Sequence, residues 1–246
     1  EIHFSDGVVW SLKDIEKRTH INGGSGNQSL SGENDDQTDV FYGGQGNDTL
    51  SDASSSSGDS HFYGGEGNDN LFGYDGNDTY YWAHGDGNDY IRDTNPTGDD
   101  LNTLVLTDVL PGEVELGRFG TNPDMRVRIT DGSTTSDIWI ESQFQSSSIG
   151  DGLQAIVFSD GTSWSHMDIA QNTWLIEDGD NNSRTGLNEG DNIDGDAGND
   201  TLKGGNGDDV LKGSAGNDRL ECQKGSDTYL WAVGDGNYTI IDNPGF

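Results

Sequence analysis

The sequence has little of what usually holds a globular domain together. Among 246 residues there is one cysteine, Cys222, with four prolines and only 12 Lys and Arg. A single cysteine excludes an internal disulfide. Twelve basic residues against 45 acidic ones, a formal charge of -33, leave no basic cluster with which to bind polyphosphate, so nucleic acid is excluded as a partner. Cations are the natural partners of such a chain. No run of about 18 apolar residues occurs, so no membrane span is expected. Leu, Ile, Val and Phe together make just under a fifth of the chain, a composition at which chains fail to bury enough apolar surface to fold unaided. Something besides a core must stabilise the fold.

What the chain has instead is glycine, 38 residues of it, set in a repeat. In "GGNGDDVLKGSAGNDRL" two nine-residue phrases follow one another, and Asp191, Asp200, Asp209, Asp218 and Asp227 recur at an unbroken spacing of nine. Two residues after each stands Ile193, Leu202, Leu211, Leu220 or Tyr229. Turn glycines precede the aspartates, as at Gly198, Gly205, Gly207 and Gly216, and supply positive φ at no steric cost. Each unit is therefore a tight turn and a very short strand. Two units make one coil, and stacked coils bury a thin continuous core that no unit could bury alone. The same phrase occurs earlier in "YGGQGNDTL", "YGGEGNDNL" and "GYDGNDTYY", which place Asp48, Asp69 and Asp78 at the aspartate position, with Gly44, Gly46, Gly65, Gly67 and Gly76 in the turns and Asp39 one unit before. The phase slips at "SGENDDQTDVF" and "SDASSSSGDSHF", where extra residues must leave the coil as loops. Gln28 replaces the aspartate in "GGSGNQSL", an expected weak turn, and the register of Asp59 is ambiguous.

Stacking places carboxylates about 5 Å apart, a repulsion of about 3 kcal/mol at an effective dielectric near 20. A bound cation reverses the sign. Ca²⁺ accepts six to eight oxygens in flexible geometry and takes carboxylates and backbone carbonyls together. Several Ca²⁺ ions, held by these aspartates and glycine turns, are thus expected, and a constant spacing follows because each ion needs ligands from neighbouring coils.

This phrase resembles the GGxGxDxUx nonapeptide of the RTX family. The resemblance implies an all-β chain with two parallel β-roll blocks joined by a β-rich linking region. It implies a non-catalytic segment of a large secreted or cell-surface bacterial protein, cytotoxin or adhesin, that leaves the cell unfolded through a type I secretion machinery and folds outside on binding Ca²⁺. The remainder of the parent polypeptide is then a further partner. The phrases "FSDGTSW" and "GDGNDYI" are similar to the region following the repeats in RTX cytotoxins such as the adenylate cyclase toxin.

A longer period overlies the short one. "IHFSDGVVWSLKDI" at residues 2 to 15 returns as "IVFSDGTSWSHMDI" at 156 to 169, and residues 226 to 242 echo 77 to 93, giving a module of about 150 residues. Glu1 stands inside a strand-like phrase, so the sequence reads as a piece of a parent with tandem modules. The expected division is a preceding cap over residues 1–19, a first roll over 20–93, a cap and spacer of short antiparallel strands without a strong helix over 94–170, and a second roll over 171–246. The alternative is an adhesion module whose 94–170 region binds a carbohydrate or a host-surface ligand.

Other motifs were weighed against simpler readings. Asp178, Asp180, Asn182 and Glu189 stand at EF-hand positions 1, 3, 5 and 12, but Ser183 replaces the required glycine and Asn182, nine before Asp191, suits a degenerate first coil. "NDT" at 47, 77 and 199 matches a glycosylation acceptor, yet falls on the repeated turn. The five histidines form no HExxH pair and GxSxG is absent, so no enzyme is expected. Trp82 and Trp231, equivalent in the long period, are expected to cap the cores. Cys222 stands in place of a turn glycine and reads as a drifted position.

Overall fold

In the computed structural model the described residues are 2–3, 9–10, 20–32, 37–53, 57–93, 100–120, 122–144, 152–186 and 190–243. They form two compact units, residues 1–114 with 126–166, and residues 115–125 with 167–246. Each is a β-solenoid of parallel strands, as the nine-residue phrase predicts.

In the first unit each coil contributes one strand to each of two sheets. His20–Ser25, Val40–Gln45, His61–Glu66 and Thr79–Trp82 stack in parallel on one face. Ser29–Ser31, Thr49–Ser51, Asn70–Phe72 and Tyr90–Arg92 stack on the other. Alternation decides what is buried, since successive side chains point to opposite faces of a strand. Phe41, Phe62 and Tyr80 point inward and are fully buried, as is Leu50, while Leu71 and Ile91 are nearly so. The strand spacing of about 4.8 Å is also a stacking distance for rings: Phe41 and Phe62 lie 4.9 Å apart, and Phe62 and Tyr80 5.1 Å. On the outer face Tyr42, Tyr63 and Tyr81 form a second column at 4.7 and 4.1 Å.

The second unit is thinner and more regular. Thr173–Ile176, Asn192–Asp194, Val210–Lys212 and Thr228–Leu230 stack on one face, and Ser183–Thr185, Thr201–Lys203, Gly216–Cys222 and Gly236–Asp242 on the other. Its core is Ile193, Leu202, Leu211 and Leu220, with Cys222 beside them and Tyr229 and Tyr238 packed against the cluster.

The antiparallel pairing expected between the rolls is present in part. Strands of that region join the parallel stacks: Thr103–Leu106 lies on Thr79–Trp82 and in turn carries Ala155–Val157, while Thr134–Ile140 lies on Tyr90–Arg92. Val114–Phe119 pairs in parallel with Thr173–Ile176, in the second unit. β-branched alternation marks a strand but does not say which neighbour it finds, and the open edge of a stack favours a further parallel strand. The antiparallel pattern holds for Ala155–Val157 with Ser163–Ser165. Its pairing of Ile156 with Trp164 matches that of Ile2 with Trp10, so the long sequence period is also a structural one. A helix does occur, His166–Asn172, burying Ile169.

Trp82 is 2 % exposed, covered where Leu106 pairs with it. Trp231 is 58 % exposed. Among the described residues no strand lies outside Thr228–Leu230 to cover it.

Candidate metal centre

The aspartates of the repeat line the edges between the two sheets of each unit. One carboxylate oxygen of each is spent on the backbone. Asp48 Oδ1 accepts the N–H of Gln28, Asp69 Oδ1 that of Asp48, and Asp89 Oδ1 that of Asp69. In the second unit Asp200 Oδ1 accepts the N–H of Asn182, Asp218 that of Asp200, Asp209 that of Asp191, and Asp227 that of Asp209, each from 18 residues away. Every bond joins a coil to the one before it.

The other oxygen has no such partner. Oδ2 of Asp48, Asp69, Asp78, Asp200, Asp209, Asp218 and Asp227 is buried without a hydrogen bond. An orphaned buried acceptor costs about 1–3 kcal/mol, and more when charged. Ion pairs among the described residues go to other acids, such as Lys212 to Asp194 and Arg128 to Asp137, so among these residues no basic side chain compensates the orphaned oxygens.

Except at Asp227, which follows Cys222 by five residues, each orphaned oxygen hangs over a glycine five residues earlier, and Asp191 Oδ2 lies over its glycine in the same way. A β-carbon on Gly43 would stand 2.6 Å from Asp48 Oδ2 and 2.3 Å from the carbonyl oxygen of Gly64 in the next coil. On Gly186 it would stand 2.4 Å from Asp191 Oδ2 and 2.6 Å from Gly204 O, and on Gly195 2.4 Å from Asp200 Oδ2 and 3.0 Å from Gly213 O. Carboxylate and carbonyl oxygens from adjacent coils thus converge on a space that only an absent side chain leaves open. This cradle of hard oxygens suits Ca²⁺.

Burial sets the electrostatics. It raises Asp69 to about 6, Asp89 to about 8 and Asp78 to about 9, with neighbouring carboxylates adding to the rise. Asp200, Asp209 and Asp218 are raised for the same first cause. Without a cation Asp78 and Asp89 hold protons at neutral pH.

Of the residues singled out from the sequence, Asp48, Asp69 and Asp78 and Asp191, Asp200, Asp209, Asp218 and Asp227 occupy these ladders. Gly44, Gly46, Gly65, Gly67, Gly76, Gly198, Gly205, Gly207 and Gly216 all have positive φ. Close stacking constrains some of them as well: a β-carbon on Gly67 would stand 2.0 Å from Gly46 O. Asp39 lies on the second edge with its Oδ2 in the Gly32 cradle, and its N–H donates to Ser60 Oγ, so Ser60 holds the ligand position of the next coil. Asp59 occupies the preceding asparagine position, accepting the N–H of Asn77. Gln28 places its amide oxygen in the Gly23 cradle, 2.7 Å from where a β-carbon would be. Asn182 lies in a coil turn, as the simpler reading holds, while Glu189 falls outside the described residues.

Sequence reasoning missed Asp89, although "GDGNDYI" repeats the turn signature, and Asn102, whose Oδ1 accepts the N–H of Asp78. It also missed Asp52 and Asp93, both buried, which stand out of phase with the other aspartates. They occupy glycine cradle positions. Asp52 Oδ1 reaches the Gly32 cradle beside Asp39 Oδ2, and Asp93 Oδ2 reaches that of Gly73 beside Asp78 Oδ2. The asparagines of "GND" do separate work. Asn47 donates its N–H to Asn27 Oδ1, Asn68 to Asn47 and Asn88 to Asn68. The aspartate accepts from the coil before and the asparagine from the coil after, so the pair clasps the stack in both directions.

Stacked glycine turns with inward carboxylates define the chain as a calcium-binding type of parallel β-solenoid. The family model for the RTX calcium-binding nonapeptide repeat, four copies, matches residues 20–51, 54–81 and 185–220, so these segments carry RTX calcium-binding repeats. No curated protein matches it in sequence.

Proposed function

We propose that this chain is a non-catalytic, calcium-folded segment of a secreted bacterial protein, a cytotoxin or an adhesin, exported unfolded by a type I secretion machinery and completed outside the cell. The seven orphaned carboxylate oxygens carry the reading. Asp48, Asp69, Asp78, Asp200, Asp209, Asp218 and Asp227 would hold the ions with carbonyls of the turns, and the bound calcium neutralises their charge. A chain of this net charge lacks that compensation where calcium is scarce and gains it where calcium is abundant. Extracellular calcium modules have affinities of about 10⁻⁴ to 10⁻³ M, suited to such a difference. Circular dichroism tests this: disorder in chelator, β-structure in millimolar Ca²⁺, and poor substitution by Mg²⁺, which keeps its waters and demands octahedral geometry. A spectrum indifferent to exhaustive chelation would overturn it.

A second reading, surface binding by the region after the first roll, is favoured by one cavity. About 260 Å³ in volume, it is lined by Trp82, His84, Ile129, Asp131, Thr134 and Ser136. Trp82 Nε1 and His84 Nε2 are buried there without partners, a donor and a ring nitrogen available to a single sugar ring. Binding on a glycan array that is lost in Ser136→Trp would support it, and a blank array would remove it.

A further inference from the structure

The cradle glycine is sometimes replaced, and the replacing side chain then enters the cradle of the coil before. Asp52 and Asp93 do this over Gly32 and Gly73. In the second unit the replacement is Cys222. Lys203 pairs with Glu221, so Cys222 follows at the register of Gly204, over which Asp209 Oδ2 lies 2.1 Å from the position of a β-carbon. The thiol sulfur, a carboxylate oxygen of Asp209 and one of Asp227 all lie within 4.8 Å of one another. Asp209 is fully buried and Cys222 nearly so. Oδ2 of both aspartates lacks a hydrogen bond, as does the buried hydroxyl of Tyr229, which packs against the same cluster.

Three potential ligand atoms therefore converge where every other complete turn presents oxygen alone. Ca²⁺ takes oxygen ligands. A thiolate suits a softer ion: Zn²⁺ binds sulfur at about 2.3 Å and carboxylate oxygen at about 2.0–2.2 Å, which gives a tetrahedron with edges of about 3.5 Å. Ligands up to 4.8 Å apart reach that geometry by small side-chain rotations. We propose that Asp209, Cys222 and Asp227 form a mixed thiolate and carboxylate site for a thiophilic divalent cation of the Zn²⁺ class. The ion displaces the thiol proton, which leaves to solvent as the metal–sulfur bond forms. Its fourth position is open to water. The proposal rests on the coil register of the second unit; it takes Asp209 and Asp227 from the calcium set proposed above and leaves the other aspartates to hold the calcium that keeps the roll folded.

The test is a Co²⁺ titration of the full chain in millimolar Ca²⁺. Cys222 is the only cysteine, so a thiolate-to-cobalt charge-transfer band reports this site alone. The expected result is a band that saturates at one equivalent, is displaced by Zn²⁺, and is absent from Cys222→Ser at unchanged circular dichroism. Asp227→Asn should weaken the cobalt midpoint by about tenfold, the equivalent of 1.4 kcal/mol. Cys222→Gly, which reopens the cradle, should abolish the band and raise the bound calcium count by one ion in equilibrium dialysis. Absence of the band in the parent chain, or its survival in Cys222→Ser, overturns the site. A chain whose circular dichroism ignores calcium would instead overturn the calcium reading and leave the cobalt result standing.

Discussion

The two solenoids stack the same turn with different coil lengths. In the second, the aspartate ladder bonds span 18 residues throughout. In the first they span 20, 21 and 20 on one edge, and 18 and 24 on the other. The added residues between cradle and ligand are confined to one edge. Gly23 with Gln28, Gly43 with Asp48 and Gly64 with Asp69 keep the five-residue interval, whereas Gly32 with Asp39, Asp52 with Ser60 and Asp93 with Asn102 are further apart. What must be conserved physically is thus the turn and its cradle, while a coil absorbs extra residues between cradle and ligand. The cores differ as well. Both bury about one large side chain per half-coil, but the first stacks rings on one face and adds further strands burying Leu104, Leu106, Ile138 and Ile156, whereas the second stacks aliphatic residues.

Calcium removal should separate the units most sharply. A fully buried aliphatic or aromatic side chain contributes about 1.5–3 kcal/mol, so the first unit has more apolar support when its carboxylates lose their ions. Hydrogen exchange across a calcium titration should show the second unit losing protection at a higher calcium concentration and over a narrower range, its coils being alike. Superimposable protection curves would break the comparison.

The cradle itself comes next in size. Gly43→Ala and Gly195→Ala each put a methyl group where two oxygens converge, and neither glycine needs a left-handed backbone. The expected effect is a loss of calcium affinity of at least about tenfold, or 1.4 kcal/mol, larger for Gly195→Ala because no ring column holds its coils. Isothermal calorimetry at saturating and limiting calcium would read it, and unchanged affinity in both variants would remove the cradle from the argument.

Protons should partly replace calcium. The folded-state values of Asp69, Asp89 and Asp78 rise to about 6, 8 and 9 because burial disfavours the charged form. The metal-free folded chain then binds more protons than the unfolded one, so its stability increases as pH falls through these values and the gain is complete below about 3.9, the unfolded carboxylate value. In dialysed, metal-free protein the first unit should gain β-structure between pH 8 and pH 5. With calcium the trend reverses, since protons compete for its ligands. A metal-free chain that loses structure on acidification would contradict the assigned burial.

The turns were legible in the sequence because their constraint is local. Aspartate, glycine and aliphatic residue at period nine dictate the fold and place most ladder aspartates. Partners of the intervening strands were not legible, for nothing in "LNTLVLTDVL" says that Leu104 will lie between Tyr80 and Ile156. Asp52, Asp93 and Cys222 escaped for another reason: they occupy a position defined by a missing side chain, and a search phased on aspartate cannot see it.

The smallest effect should come from the asparagines, and it sharpens the comparison by leaving calcium aside. In the first unit Asn68 Oδ1 accepts one bond, the N–H of Asn88. In the second, Asn199 Oδ1 accepts both the N–H and the Nδ2 of Asn217, at 2.9 and 3.1 Å. A typical intramolecular hydrogen bond contributes about 0.5–1.5 kcal/mol net, and exposure to water places these at the lower end. Asn68→Ala should therefore cost about 0.5 kcal/mol and Asn199→Ala about 1 kcal/mol. Neither side chain faces a cradle, so both variants should shift the urea midpoint of their own unit at saturating calcium while leaving calcium affinity unchanged. Urea unfolding followed by hydrogen exchange within each unit makes the measurement. If Asn199→Ala instead weakens calcium binding as much as Gly195→Ala does, the asparagine belongs to the metal centre and the division of labour within "GND" is wrong.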